Sequence, residues 1–133
     1  MLYLLGKHCK DKKFYPQDPL KQIRINQVMS FEITVLRKKM TDLYVAQVAG
    51  PAFFGAAPKE GDELKEVEDP VHAAFKELLV LKEKYGGTYL TGSNFTPGDL
   101  AVWSTTYYLV STNLIDLSKD HPVLHKWYTK CAT

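Results

Sequence analysis

The side chains with chemistry to offer are few: four histidines, two cysteines and one carboxylate set in a helix-start motif. His8 and His72 stand alone, while His121 and His125 are spaced i, i+4, which puts two imidazoles on one helix face. A protein-held divalent metal needs three or four such donors, and no third ligand falls beside the pair, so no metal is expected. Cys9 and Cys131 lie near opposite ends without C-x-x-C spacing, which suits reduced thiols in a cytoplasmic protein. The carboxylate is Asp99, in Thr96-Pro97-Gly98-Asp99. A buried carboxylate can move protons, but this motif holds no nucleophile for it to serve. Its spacing has another use. Thr96 supplies an N-cap hydroxyl, Pro97 the first helical residue and Asp99 a carboxylate at the third position, which together make a capping box. Thr96 and Asp99 are therefore expected to be structural.

The elements that must position these groups are helices. Asp18-Pro19 starts the first, and apolar residues then recur at Ile25, Val28, Phe31, Val35, Leu36, Met40, Leu43, Tyr44 and Val48, the three-four spacing of one face. Gly50-Pro51 is expected to end it, with a Gly/Pro-rich connection to Gly61. The second runs through Leu64, Val67, Val71, Ala74, Phe75, Leu78 and Leu81 to Gly86-Gly87. Pro70 either kinks this helix or, with Asp69 as cap, begins it afresh. In the third, Phe95 and Leu100 can form a hydrophobic staple, and the inward face is expected to carry Leu100, Trp103, Tyr107 and Val110. Asp120-His121-Pro122 opens a short last helix with Val123, Leu124, Trp127 and Tyr128 on one side. Strand signals are nearly absent, so the fold class is an all-α helical bundle.

At 133 residues, with 45% apolar and 24% charged side chains, the chain has the size and composition of a single domain with one core. A formal net charge of +2 gives no field to collect nucleic acid or anionic lipid, and the run Arg37-Lys38-Lys39 suits a solvated helix face. Met1 to Leu5 is too short for a signal peptide, and no stretch approaches membrane-spanning length. Neither membrane nor nucleic acid is an expected partner.

The segment Tyr89-Leu90-Thr91-Gly92-Ser93-Asn94-Phe95-Thr96-Pro97-Gly98-Asp99-Leu100-Ala101 resembles the element that starts the buried central helix of glutathione S-transferases. Residues 115–128, Ile115 to Tyr128, resemble that family's turn into its next helix. Upstream, Phe14-Tyr15-Pro16-Gln17-Asp18-Pro19 resembles the linker leaving its thioredoxin-like domain, and Tyr3-Leu4-Leu5-Gly6-Lys7-His8 the end of that domain's last helix. The ordered set is most similar to the insect Delta and Epsilon classes. It implies a remnant and linker over residues 1–16 and a glutathione S-transferase C-terminal-like helical domain over residues 17–133.

The resemblance also implies a function. In that family the C-terminal domain supplies most of the pocket for a hydrophobic electrophile, from the later half of its first long helix. The matching positions here are Arg37, Met40, Thr41, Tyr44 and Val45. Met40 and Tyr44 stand four apart, and a thioether beside an aromatic face adapts to varied apolar ligands. Glutathione is the implied co-substrate of an intact enzyme. Its binding residues and the Ser or Tyr that activates its thiol belong to the thioredoxin-like half, so this chain alone carries no expected catalytic residue. Implied partners are hydrophobic small molecules and either a second copy in a homodimer or a thioredoxin-like half. Similar helical domains also serve as non-catalytic protein-interaction modules, and that alternative stays open from sequence, as does simple storage of hydrophobic compounds.

Overall fold

The computed structural model describes Leu4 and residues 8–133, and the expected helix tail over residues 3–8 lies largely outside the described residues. A single long rod comes first. It comprises α1 (Pro19–Phe31), a π-helical turn (Glu32–Leu36), α2 (Arg37–Tyr44), a second π-helical turn (Val45–Ala49) and α3 (Gly50–Phe54). Then follow α4 (Gly61–Tyr85), α5 (Pro97–Ser111), α6 (Leu117–Asp120) and α7 (Pro122–Cys131). There is no strand among the described residues, and a lone bridge between Tyr89 and Gly92 closes the turn ahead of α5.

Local chemistry fixes the starts. The Asp18 carboxylate accepts the Leu20 N–H at 3.0 Å with Pro19 in the first turn of α1, and Asp116 does the same for the Ser118 and Lys119 amides of α6. The long rod departs from a plain α-helix in two places, where the Arg37 N–H bonds the Glu32 carbonyl and the Gly50 N–H bonds the Val45 carbonyl, both i→i+5. The second of these changes where the rod ends. Sequence places a stop at Gly50-Pro51, but the widened turn precedes Pro51, whose missing amide donor is accommodated there. A Cβ on Gly50 would come within 2.8 Å of the Val45 carbonyl oxygen, so the wide turn needs glycine at that position. The helix continues to Phe54 and ends at left-handed Gly55.

Pro70 lies inside α4, which starts nine residues earlier at Gly61; the fresh start at Asp69 does not occur.

The central element is α5, which packs against α1, α2 and α7, while α4 packs against α2 and α7. Its inward face differs from the expected one. Ala101, Val102, Thr106 and Leu109 are buried, whereas Leu100 and Tyr107 are exposed and Trp103 and Val110 are only half-buried. The reason is close approach: Gly98 sits so near α1 that an added Cβ would fall 3.2 Å from Val28 Cγ1, and only small side chains fit such a crossing. The large aromatics turn outward to the flanks. Nor do Phe95 and Leu100 close as a staple: Phe95 packs its ring on Tyr89 and Phe14, and Leu100 is 36% exposed. In α7, Leu124 and Trp127 are buried and Tyr128 half-buried, but Val123 is exposed. One core results, joining Val28, Leu36, Met40, Leu43, Phe75, Leu78, Val102, Leu109, Leu124 and Trp127. Each full burial of such a side chain is worth about 1.5–3 kcal/mol before chain entropy is set against it.

Candidate functional site

Two buried carboxylates organise the interior. Asp99 is fully buried and accepts four hydrogen bonds: from the Leu90 N–H at 2.8 Å, the Trp127 indole N–H at 2.9 Å, the Thr96 N–H at 3.0 Å and the Thr96 hydroxyl at 2.8 Å. The capping box expected from sequence is formed. Burial pushes the Asp99 pKa above the usual carboxylate value, and the four donors pull against it without cancelling it. Because every partner serves to hold a turn or a neighbouring helix, Asp99 ties α5 to the preceding loop and to α7.

Glu32 is the second, and sequence reasoning passed over it. It is fully buried, receives the Arg37 guanidinium through two bonds of 2.9 and 2.8 Å, and accepts the Thr105 hydroxyl of α5 at 2.6 Å. The i, i+5 spacing of Glu32 and Arg37 matches the π-helical turn that carries them, whereas a plain α-turn pairs i with i+3 or i+4. The hydrogen bond and charge of Glu32 raise the Arg37 pKa further still. A signal was present: Glu32 falls four residues after Val28 and four before Leu36, in the middle of an apolar stripe.

Beside this pair lies an apolar cavity of about 190 Å³ between α2 and α5, lined by Met40, Thr41, Tyr44, Thr105, Tyr108 and Leu109. Of the five positions marked from sequence, Met40, Thr41 and Tyr44 are thus brought together. Arg37 stands one turn earlier, its guanidinium on Glu32, and Val45, 44% exposed, falls outside the lining set. Met40 is itself core, only 2% exposed. The far wall, Thr105, Tyr108 and Leu109, was missed because the inward face of α5 was assigned to the wrong residues. Tyr44 meets Tyr108 edge-on across the mouth, with ring centroids 6.0 Å apart.

The histidines are arranged otherwise than as an i, i+4 pair. His121 turns to His72 on α4, with His72 Nδ1 and His121 Nε2 2.8 Å apart and the rings stacked. Burial, then the neighbouring His72, holds the His121 pKa below the usual imidazole value. No group of three metal-ligating side chains is found among the described residues, and both cysteines there are free thiols. Burial pushes the Cys131 thiol up to about 12.

The architecture is thus a helical bundle built round one capped central helix, with an apolar cavity opening between two of its helices. The family model for the glutathione S-transferase C-terminal domain matches residues 33–133. The chain belongs to that family. It is 26% identical over 129 residues to glutathione S-transferase D6 of Drosophila melanogaster and 31% identical over 127 residues to D7 of the same organism. Those matches take in 96% and 95% of this chain but 54% and 51% of the relatives, so the chain spans about half the length of the curated relatives it matches. Among solved structures it superposes with a TM-score of 0.75 on a delta-class glutathione transferase of Nilaparvata lugens, at 26% identity over 96% of this chain and 54% of that one. Human glutathione S-transferase T1-1 superposes at 0.79 with 23% identity, over 96% of this chain and 52% of that one, a likeness of fold. No helix among the described residues is long and apolar enough to cross a membrane.

Proposed function

We propose that this chain is the hydrophobic-substrate-binding half of a glutathione-conjugating enzyme, and that residues 17–133 do this work. The observation that carries the proposal is the cavity between α2 and α5, where Met40 and Tyr44 face Tyr108 and Leu109 across a space suited to a flat apolar electrophile. Of the two threonines in the lining, Thr105 gives its hydroxyl proton to Glu32, which leaves Thr41 to donate to a ligand carrying a nitro or carbonyl group. Arg37 acts through Glu32 and Thr105, holding one wall rather than reaching the ligand.

Glutathione is the co-substrate in this proposal, and its thiol must be activated elsewhere. A thiol of pKa near 8.5 is only partly ionised at neutral pH, and no group lining the cavity is a base or a cation that would favour thiolate. The thioredoxin-like half of the relatives is the natural source, supplied by a longer form of the protein or by a partner, with homodimerisation as in the family. The proposal carries with it a cytoplasmic setting and detoxification of hydrophobic compounds.

The test is reconstitution. The chain fused behind a Delta-class thioredoxin-like domain should conjugate glutathione to a small aromatic electrophile, and Tyr108→Ala should raise KM for that electrophile with little change in KM for glutathione. A folded fusion that binds glutathione yet conjugates nothing, or a Tyr108→Ala effect on glutathione alone, would reject it.

A further inference from the structure

A second cavity, of about 320 Å³, lies against α1 and shares no lining residue with the apolar one. Its walls are Lys13 from the linker, Lys21 and Arg24 from one face of α1, the Tyr85-Gly86-Gly87 end of α4, and the loop through Ser93 and Asn94. Three cations line it and no carboxylate does. None of the three takes part in an ion pair among the described residues.

The walls are also built to hold their shape. Arg24 lies over the Tyr85 ring, 5.2 Å from its centroid, and the Tyr85 hydroxyl donates to Gln27, which fixes the guanidinium against one side. Lys82 donates to the Gly87 carbonyl at 2.7 Å, and the Tyr89 N–H bonds the Gly92 carbonyl at 2.9 Å, closing the opposite loop on itself. Gly87 approaches Gly92 so closely that a Cβ there would lie 2.5 Å from its carbonyl, so this closure requires glycine at position 87. Ser93 and Asn94, which line the cavity, make no side-chain hydrogen bond among the described residues.

We infer that this cavity binds a small phosphomonoester, with Lys13, Lys21 and Arg24 on the phosphate and Ser93 and Asn94 on the hydroxyls of its organic part. Three cations on one cavity, one of them a planar guanidinium, suit a tetrahedral oxyanion, which accepts several charge-assisted bonds at once. The volume lies in the range of small-molecule sites, so the organic part has room as well.

The full chain is titrated by calorimetry, at constant ionic strength, with ribose 5-phosphate, with ribose and with inorganic phosphate. Expected are saturable binding of the phosphomonoester with Kd below about 1 mM, at least tenfold tighter than either fragment, and a loss of at least tenfold in Lys21→Gln/Arg24→Gln. Lys13→Gln, on the linker outside every helix, should weaken binding by a smaller factor, and Lys38→Gln/Lys39→Gln on α2 should leave it unchanged. Circular dichroism confirms that each variant is folded. Absence of saturable binding, equal affinity for inorganic phosphate, or equal weakening by the Lys38/Lys39 pair would overturn the inference; the reconstitution assay is unaffected by any of these outcomes.

Discussion

The indole of Trp127 donates its N–H to the carboxylate of Asp99 across 2.9 Å, so the last helix hangs from the same atom group that starts the central one. Asp99→Ala removes that acceptor and leaves the buried Leu90 and Thr96 amides and the Trp127 N–H unsatisfied. At about 1–3 kcal/mol for each stranded buried donor, the loss should be about 3 kcal/mol or more. Thr96→Ala, which keeps the carboxylate, should cost about 1–2 kcal/mol. Urea unfolding followed by fluorescence checks both, and equal costs would count against Asp99 as the shared anchor.

Met40 and Thr41 touch the same cavity from opposite circumstances. Met40 is 2% exposed and part of the core, so Met40→Ala should destabilise by about 3 kcal/mol and weaken binding of an apolar dye. Thr41 is exposed, so Thr41→Ala should change stability by less than about 0.5 kcal/mol. Thermal melts with and without dye separate the two, and a dye affinity unchanged in Met40→Ala/Tyr44→Ala would place the dye elsewhere.

Pro70 occupies an interior position of α4 and denies the Glu66 carbonyl its i→i+4 donor. Pro70→Ala restores the bond. A helix-interior proline costs about 3 kcal/mol, and its stiffening of the unfolded chain returns up to about 1, so the variant should be more stable by about 2–3 kcal/mol. A lower denaturation midpoint would show that Pro70 shapes the helix in a way the fold requires.

Two buried groups bend the pH dependence in opposite senses. His121 has a folded pKa below 6.5, so between that lowered value and 6.5 the unfolded chain binds more protons. Its contribution is present above 6.5 and is lost as pH falls through the folded value. Glu68, His72, Lys76 and Asp120 are the charged or titratable groups around it, and protonation there places an imidazolium against the His72 ring. Asp99 has a folded pKa above 3.8, so its contribution is present below 3.8 and lost as pH rises through the raised value. His121→Gln should therefore flatten the rise of stability with pH on the acid side of 6.5, measured by urea unfolding at a series of pH values, while Asp99→Asn should leave that rise in place. A slope unchanged in His121→Gln would remove the histidine from the account.

Most of the helix order was legible because capping and spacing are local. Thr96 to Asp99, Asp18-Pro19 and Gly86-Gly87 each declare an end without reference to the rest of the chain. What was not legible depended on neighbours. Trp103 and Tyr107 look like core by size, yet the face of α5 that meets α1 admits only Gly98, Ala101 and other small groups, so the aromatics were assigned inward and lie outward. Thr105 and Tyr108 were lost to the cavity by the same error. Glu32 and the His72–His121 contact join residues 73 and 49 positions apart, to Thr105 and to one another, and no periodicity reports a partner at that range.

The widened turn from Glu32 to Leu36 governs which way the cavity residues point. From Val28 to Met40 is twelve residues, which in an unbroken α-helix is about three and a third turns, leaving Met40 roughly 120° off the line of Val28. The extra residue absorbed by the wide turn brings Met40 back into register with the core. Straightening the turn with all its residues kept would rotate Met40, Thr41 and Tyr44 together round the rod by roughly 100°, whereas deleting one residue there leaves eleven of plain helix, within about 20° of the starting line, and keeps the same wall toward a ligand. A related chain one residue shorter in this stretch can dispense with the wide turn and still present the same residues to its ligand.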